Sequence, residues 1–197
     1  MPRKQTPSMT VGPWFSYGLT PKEYGRTGLA TGVIARPGIA GARVKLSGRV
    51  LDGAGTPMPD AMLEVWQANA QGRYAHAADT RGAVPLVAGF TGFGRVSTDA
   101  KGTYAFDTIK PGRVPGRGNV MQAPHLTLVV FARGLLSHLY TRVYFSDETA
   151  ANAEDPILAL VAPARRGTLI ALRSGPADAY TLDIHLQGDR ETVFFEA

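Results

Sequence analysis

Glycine and proline interrupt this chain so often that almost no stretch between them is long enough for a helix. There are 23 glycines and 14 prolines among 197 residues. Glycine loses most backbone freedom when ordered and proline lacks a backbone donor, so both collect at turns. Between them lie short runs with the period-two alternation of half-buried strands. Residues 42–51 set Val44, Leu46 and Val50 against polar neighbours, and residues 61–67 continue the pattern. Residues 103–109 alternate Tyr104 and Phe106, and 125–133 form a longer apolar run that reads as a central strand. Residues 139–145 and 180–186 complete the set. Asp52-Gly53-Ala54-Gly55, Asp99-Ala100-Lys101-Gly102 and Lys110-Pro111-Gly112 supply turns. Regular short strands so punctuated predict a β-sandwich or barrel. Helical signal is confined to residues 147–153, ended by Asp155-Pro156.

The length predicts one domain. Residues 1–40 read as an N-terminal arm, rich in glycine and proline with scattered Trp14, Phe15, Tyr17 and Tyr24. Aromatic rings on a polar arm are unfavourable in water, so the arm is expected to pack on a partner chain or on the body, residues 41–197. The absence of cysteine excludes disulfides and thiolate metal sites and fits a cytoplasmic setting. No apolar leader and no bilayer-length run is seen, so neither secretion nor a membrane is expected. The net charge of +5 admits nucleic acid, but the arginines are scattered and no nucleic-acid motif accompanies them. A basic surface equally favours small anions.

Residues 46–74 read LSGRVLDGAGTPMPDAMLEVWQANAQGRY, ending in the WQAN segment and Gly72-Arg73-Tyr74. STDAKGTYAFDTIKPG (97–112), APH (123–125), FARG (131–134), TRVYFSDE (141–148) and ETVFFEA (191–197) follow in order. This ordered series resembles the intradiol dioxygenase family, from Thr6 to the C-terminus. The opening TPSMTVGPWFSYGL and the closing ETVFFEA resemble the α-type chain of a heteromeric member in particular. The fold so implied is all-β: an intradiol-dioxygenase-like β-sandwich with a long irregular N-terminal arm and loops and little helix.

The family holds a ferric ion with two tyrosines and two histidines, a hard-donor set that leaves room for a chelating catechol. By resemblance, the first tyrosine is Tyr74. The second tyrosine's position is Val114, which cannot ligate. The H-x-H pair reads His125-Leu126-Thr127, with the second histidine replaced. The arginine three residues before the first histidine is Gln122. Two ligand positions of four survive, so the resemblance implies no metal in this chain and Fe(III) in a metallated β-type partner. Read by themselves, Tyr74 is a strand-end aromatic with its hydroxyl in water and His125 a core histidine bonded to backbone. His76, His138 and His185 form no metal-ligand spacing, and His185 lies opposite the side taken by Ile184 and Leu186.

The resemblance also implies an active site near the interface with that partner, with Gly12, Pro13 and Trp14 lining the substrate pocket. Relatives often carry tyrosine at the third of these positions. Arg133 reads either as a strand-end arginine meeting solvent or a surface carboxylate, or as a pocket residue attracting an aromatic acid. Arg142 reads as half of an inter-strand or interface ion pair. The activity implied is cleavage of 3,4-dihydroxybenzoate by O2, between its hydroxylated carbons, to 3-carboxy-cis,cis-muconate, in an (αβ)n assembly. Two other readings stand beside it. One is a non-catalytic sandwich that binds or carries a ligand. The other is a self-sufficient dioxygenase whose iron site is rebuilt with His138 and Tyr140.

Overall fold

The computed structural model describes residues 14–175 and 178–196, with only the backbone described for 14–16. Eleven strands appear among them. They are β1 (Arg43–Leu51), β2 (Met62–Trp66), β3 (Phe93–Ser97), β4 (Thr103–Ile109), β5 (Val114–Pro115), β6 (Met121–Gln122), β7 (His125–Phe131), β8 (Leu139–Phe145), β9 (Ile170–Arg173), β10 (Ala179–Thr181) and β11 (Ile184–His185). Helices are short: α1 (Trp14–Leu19) and α2 (Thr149–Glu154), with 3₁₀ turns between strands.

Nine of the strands make two layers joined at β9, and β5 and β6 pair apart from them. The first layer sets β4 antiparallel to β1, with β10 and β11 parallel to β1 on its other side. The second runs β8–β7–β2–β3, all antiparallel. β9 belongs to both, antiparallel to β10 and parallel to β8, so the sheet curls from one layer into the other. Between the layers lie Val44, Leu46, Val50, Leu63, Val65, Phe106, Leu126, Leu128, Val130, Val143 and Phe145, all buried. Alternation builds this core directly, because successive side chains point to opposite faces. In β4, Tyr104 and Phe106 point in while Thr103 and Ala105 are exposed.

The expected strands are present at 43–51, 62–66, 103–109, 125–131 and 139–145. The run at 180–186 breaks into β10 and β11. The cause is Asp183, whose Oδ1 accepts the Arg49 amide at 2.9 Å, in place of a backbone carbonyl. Close approach there also requires Gly48: a Cβ would lie 1.8 Å from the Leu182 carbonyl oxygen, which accepts the buried Tyr104 hydroxyl at 2.6 Å. Ahead of β1, the Ile34 amide donates to the Asp107 carbonyl at 2.8 Å, and Ile34 and Ala35 are buried in this chain's own core. Among the described residues no helix is long and apolar enough to cross a membrane.

Candidate functional site

The site forms on the face of the second layer that points away from the core. Register places side chains in rows across it. Phe93 of β3, Trp66 of β2, Thr127 of β7 and Arg142 of β8 are successive cross-strand partners. His125 lies two residues along β7 on the same face, opposite Tyr144. The substituted ligand position at 127 therefore faces Arg142 directly.

The loop after β2 brings Tyr74 over this face. Buried Gln67 donates to the Ile109 carbonyl at 2.9 Å and accepts the Thr108 hydroxyl at 2.6 Å, which ties the loop to β4. Asn69 Oδ1 accepts the Gln71 and Arg73 amides at 3.0 Å, and its Nδ2 donates to the Pro85 carbonyl at 3.0 Å. Gly72 has φ 79°, and a Cβ would sit 2.0 Å from the Arg113 carbonyl oxygen, so only glycine lets the two loops touch. Asp79 then accepts the Tyr74 amide at 2.9 Å and pairs with Arg81, whose hydrogen bond holds that carboxyl well below the usual range. The Tyr74 ring ends parallel to Trp66, centroids 6.0 Å apart. Trp66, Tyr74, His76, Asp79, Arg81 and Pro115 line a groove of about 560 Å³.

Tyr74 is thus a loop residue rather than a strand-end aromatic, half-buried where it lines the groove. Burial raises the phenol's pKa against the opposing charges of Arg142 and Arg81, so it stays protonated at neutral pH. His125 is a core histidine bonded to backbone. It is buried, Nδ1 lies 2.8 Å from the Ala123 carbonyl oxygen, and burial together with the Arg142 charge lowers its pKa to about 4. Val114, in β5, is buried opposite Gln122 of β6.

Arg142 does not make an inter-strand ion pair among the described residues. Its Nη1 donates to Gln122 Oε1 at 2.6 Å and lies 3.4 Å from the Tyr144 hydroxyl. β7 and β8 set it beside these neutral groups instead. Position 122, where the resemblance implies an arginine, thus receives a guanidinium from the neighbouring strand. Tyr144 in turn donates to Asp155 Oδ1 at 3.0 Å.

This cluster does not fit a ferric ion. It offers two protonated phenols, Tyr74 and a Tyr144 whose hydroxyl is already committed to Asp155, and one imidazole, beside a valine, a threonine and a fixed cation. Among the described residues no three His, Cys, Asp or Glu side chains gather to hold a metal. His138 packs on Phe131 and Tyr140, at the far end of the β7–β8 pair from His125. A site rebuilt from His138 and Tyr140 around Tyr74 and His125 is therefore not formed.

Arg133 follows β7 and pairs with Asp60, Nε to Oδ2 3.1 Å, with its side chain 59% exposed. Gly12 and Pro13 lie outside the described residues. Of Trp14 only the backbone is described, at the start of α1.

A sequence profile for the family described as "Dioxygenase" matches residues 11–188. The protocatechuate 3,4-dioxygenase alpha chain of Burkholderia cepacia is 46% identical over 98% of this chain and 98% of its own length. The chain belongs to the intradiol dioxygenase family. The family is iron-dependent. A second alpha chain, from Pseudomonas putida, is 42% identical over 98% of this chain and 96% of its own. The corresponding beta chain of Burkholderia cepacia is also a homologue, 41% identical over 75% of this chain and 66% of its own. Among solved intradiol dioxygenase folds, the dioxygenase domain from Streptomyces sp. SirexAA-E superposes with a TM-score of 0.58 at 25% identity, over 81% of this chain and 88% of that one. The 3-chlorocatechol 1,2-dioxygenase of Rhodococcus opacus 1CP gives 0.58 at 20% identity, over 78% and 62%, a likeness of fold.

Sequence reasoning located Tyr74, Val114, His125, Thr127 and Gln122. It missed that Arg142 joins them, because the register of β8 against β7 depends on the turn at 132–138.

Proposed function

We propose that this chain is the non-metallated α chain of a protocatechuate 3,4-dioxygenase, working with a β chain that carries Fe(III). The carrying observation is the cluster itself. In a chain 46% identical to an alpha chain over nearly its whole length, the metal positions hold Val114 and Thr127, and a guanidinium sits among them. The assembly cleaves protocatechuate with O2 to 3-carboxy-cis,cis-muconate, in the cytoplasm and as an (αβ)n oligomer. Bound in the β chain, the iron supplies the oxidising chemistry. This chain supplies pocket wall from Gly12, Pro13 and Trp14, and positive charge from Arg133 for the substrate carboxylate. The exposed side chain of Arg133 and its single carboxylate partner leave donors on the guanidinium free to bind an anion.

The test is iron content and visible absorption of this chain purified alone and with its β partner. The chain alone is expected to be colourless and iron-free, and the complex coloured by tyrosinate-to-iron charge transfer and active. A coloured, iron-loaded chain on its own overturns the reading. In the complex, Arg133→Ala is expected to raise KM for protocatechuate about tenfold or more, the loss of one charge-assisted contact, with iron content unchanged. An unchanged KM removes Arg133 from the pocket.

A further inference from the structure

Two missing ligands explain why a ferric ion is poorly held. They do not explain why the cluster also contains an arginine. Arg142 stands opposite Thr127, on the face shared by Trp66, His125 and Tyr144. It is half-buried, and its contacts there are the Gln122 amide oxygen at 2.6 Å and the Tyr144 hydroxyl at 3.4 Å, both neutral. The nearest buried carboxylate, Asp155, is taken up by the Tyr144 hydroxyl and by the Ala123, Ile157 and Leu158 amides. Asp155 keeps its negative charge but meets Arg142 only through the Tyr144 hydroxyl, and at His125 the charge of Arg142 outweighs it. The Arg142 charge bears on both surviving ligand positions, lowering the pKa of His125 and opposing the rise at Tyr74. Unlike lysine or histidine, arginine cannot escape by losing its proton.

We propose that Arg142 takes the place of the metal: its fixed positive charge, opposite the vacant histidine position at Thr127, closes the Tyr74–His125 cluster to cations, so that replacing the lost ligands does not by itself recreate a metal site. A metal ion entering the cluster meets a like charge in a partly dehydrated setting, where repulsion is several times stronger than in water. The inference rests on reading Tyr74 and His125 as remnants of a ligand set, and its test uses this chain alone. Failure of the α-chain reading shows separately, as iron in the unaltered protein.

The test is cobalt(II) titration of the full chain, followed by calorimetry and visible absorption. Thr127→His restores a third ligand without disturbing buried Val114. With Arg142 retained, this variant is expected to bind cobalt weakly. Adding Arg142→Gln is expected to tighten binding at least tenfold, to one ion per chain, for removal of one like charge. Adding Arg142→Lys instead keeps the charge and is expected to leave binding weak at neutral pH. Equal affinity in the glutamine and arginine forms, no binding in either, or tight binding in the lysine form overturns the proposal. Where the glutamine form does not fold by circular dichroism, Arg142→Met takes its place against Arg142→Lys, with the same two outcomes deciding.

Discussion

His125 shows what a single conserved chemistry becomes when its metal neighbours are gone. The imidazole is buried, tied to the Ala123 carbonyl, and held neutral to about pH 4 by burial and by Arg142. In the unfolded chain its pKa is near 6.5. Between these values the unfolded state takes up a proton that the folded state refuses. Stability is therefore lost as pH falls from about 6.5 to about 4, levels off below that, and pays nothing above 6.5. The full shift corresponds to roughly 3 kcal/mol. Urea denaturation at pH 7 and pH 5 is expected to show the loss in the unaltered chain. In His125→Gln this contribution vanishes; an equal pH dependence in the two proteins assigns it elsewhere. By resemblance the sequence pointed to five positions of this cluster, two retained (Tyr74 and His125) and three substituted (Val114, Thr127 and Gln122). The place of Arg142 was not legible, since nothing near Thr141-Arg142-Val143 reveals which residue of β7 it faces. The loop position of Tyr74 was not legible for a similar reason: its place over Trp66 comes from a loop closed by Asp79 and Arg81, none of it local alternation.

At the scale of elements, strands with several alternating apolar residues were readable and short ones were not. β3 has the sequence FGRVS, and its half-buried state comes from pairing with β2. β9 has the sequence IALR and owes its place to joining the two layers. The end of α2 was readable from Asp155-Pro156, but its consequence was not. Asp155 caps that helix and its carboxylate, completely buried, accepts four hydrogen bonds. They come from the Ala123 amide at 2.7 Å, the Tyr144 hydroxyl at 3.0 Å, and the Ile157 and Leu158 amides at 2.9 and 2.7 Å. One side chain thus fixes the turn that follows α2, the turn leading into β7, and the end of β8 that carries Tyr144. An asparagine can accept at only one of the two oxygens and sets an amide donor against donors. Asp155→Asn is expected to cost about 2–4 kcal/mol, since hydrogen bonds to a charged group are lost and buried donors are left unpaired. Urea denaturation measures it, and a cost under about 0.5 kcal/mol, the range of neutral surface changes, refutes the hub.

For the whole molecule the question is what holds two layers together that share only β9. Much of the answer lies in the C-terminal tail, which the sequence offers as a family mark, ETVFFEA, without a physical role. Thr192 exchanges backbone and side-chain hydrogen bonds with His185, at 2.9 and 3.0 Å, fastening the tail to β11 of the first layer. Three residues later the Phe195 amide donates to the Tyr140 carbonyl at 2.8 Å, and the Thr141 hydroxyl donates to the Val193 carbonyl at 2.7 Å, fastening it to β8 of the second. Its side chains divide likewise: Phe194 packs on the main core, while Val193 and Phe195 pack on the smaller cluster of Ala123, Tyr144, Leu158, Val161 and Leu169 beneath the site. Three half-buried apolar side chains correspond to roughly 2–4 kcal/mol, at about 1.5–3 kcal/mol for complete burial of each. For a chain of this size each kcal/mol moves the melting temperature by about 2–4 °C. Ending the chain at Glu191 is therefore expected to lower it by roughly 5–15 °C. Because Phe195 packs on the cluster that contains Tyr144, the loss is expected to weaken the site before it opens the far end of the sheet. Hydrogen exchange of β8 and of residues 121–125 is expected to speed up in the shortened chain more than that of β1 and β4. Uniform acceleration across both layers means that the tail acts only on global stability, and an unchanged melting temperature means that the core and β9 hold the layers without the tail.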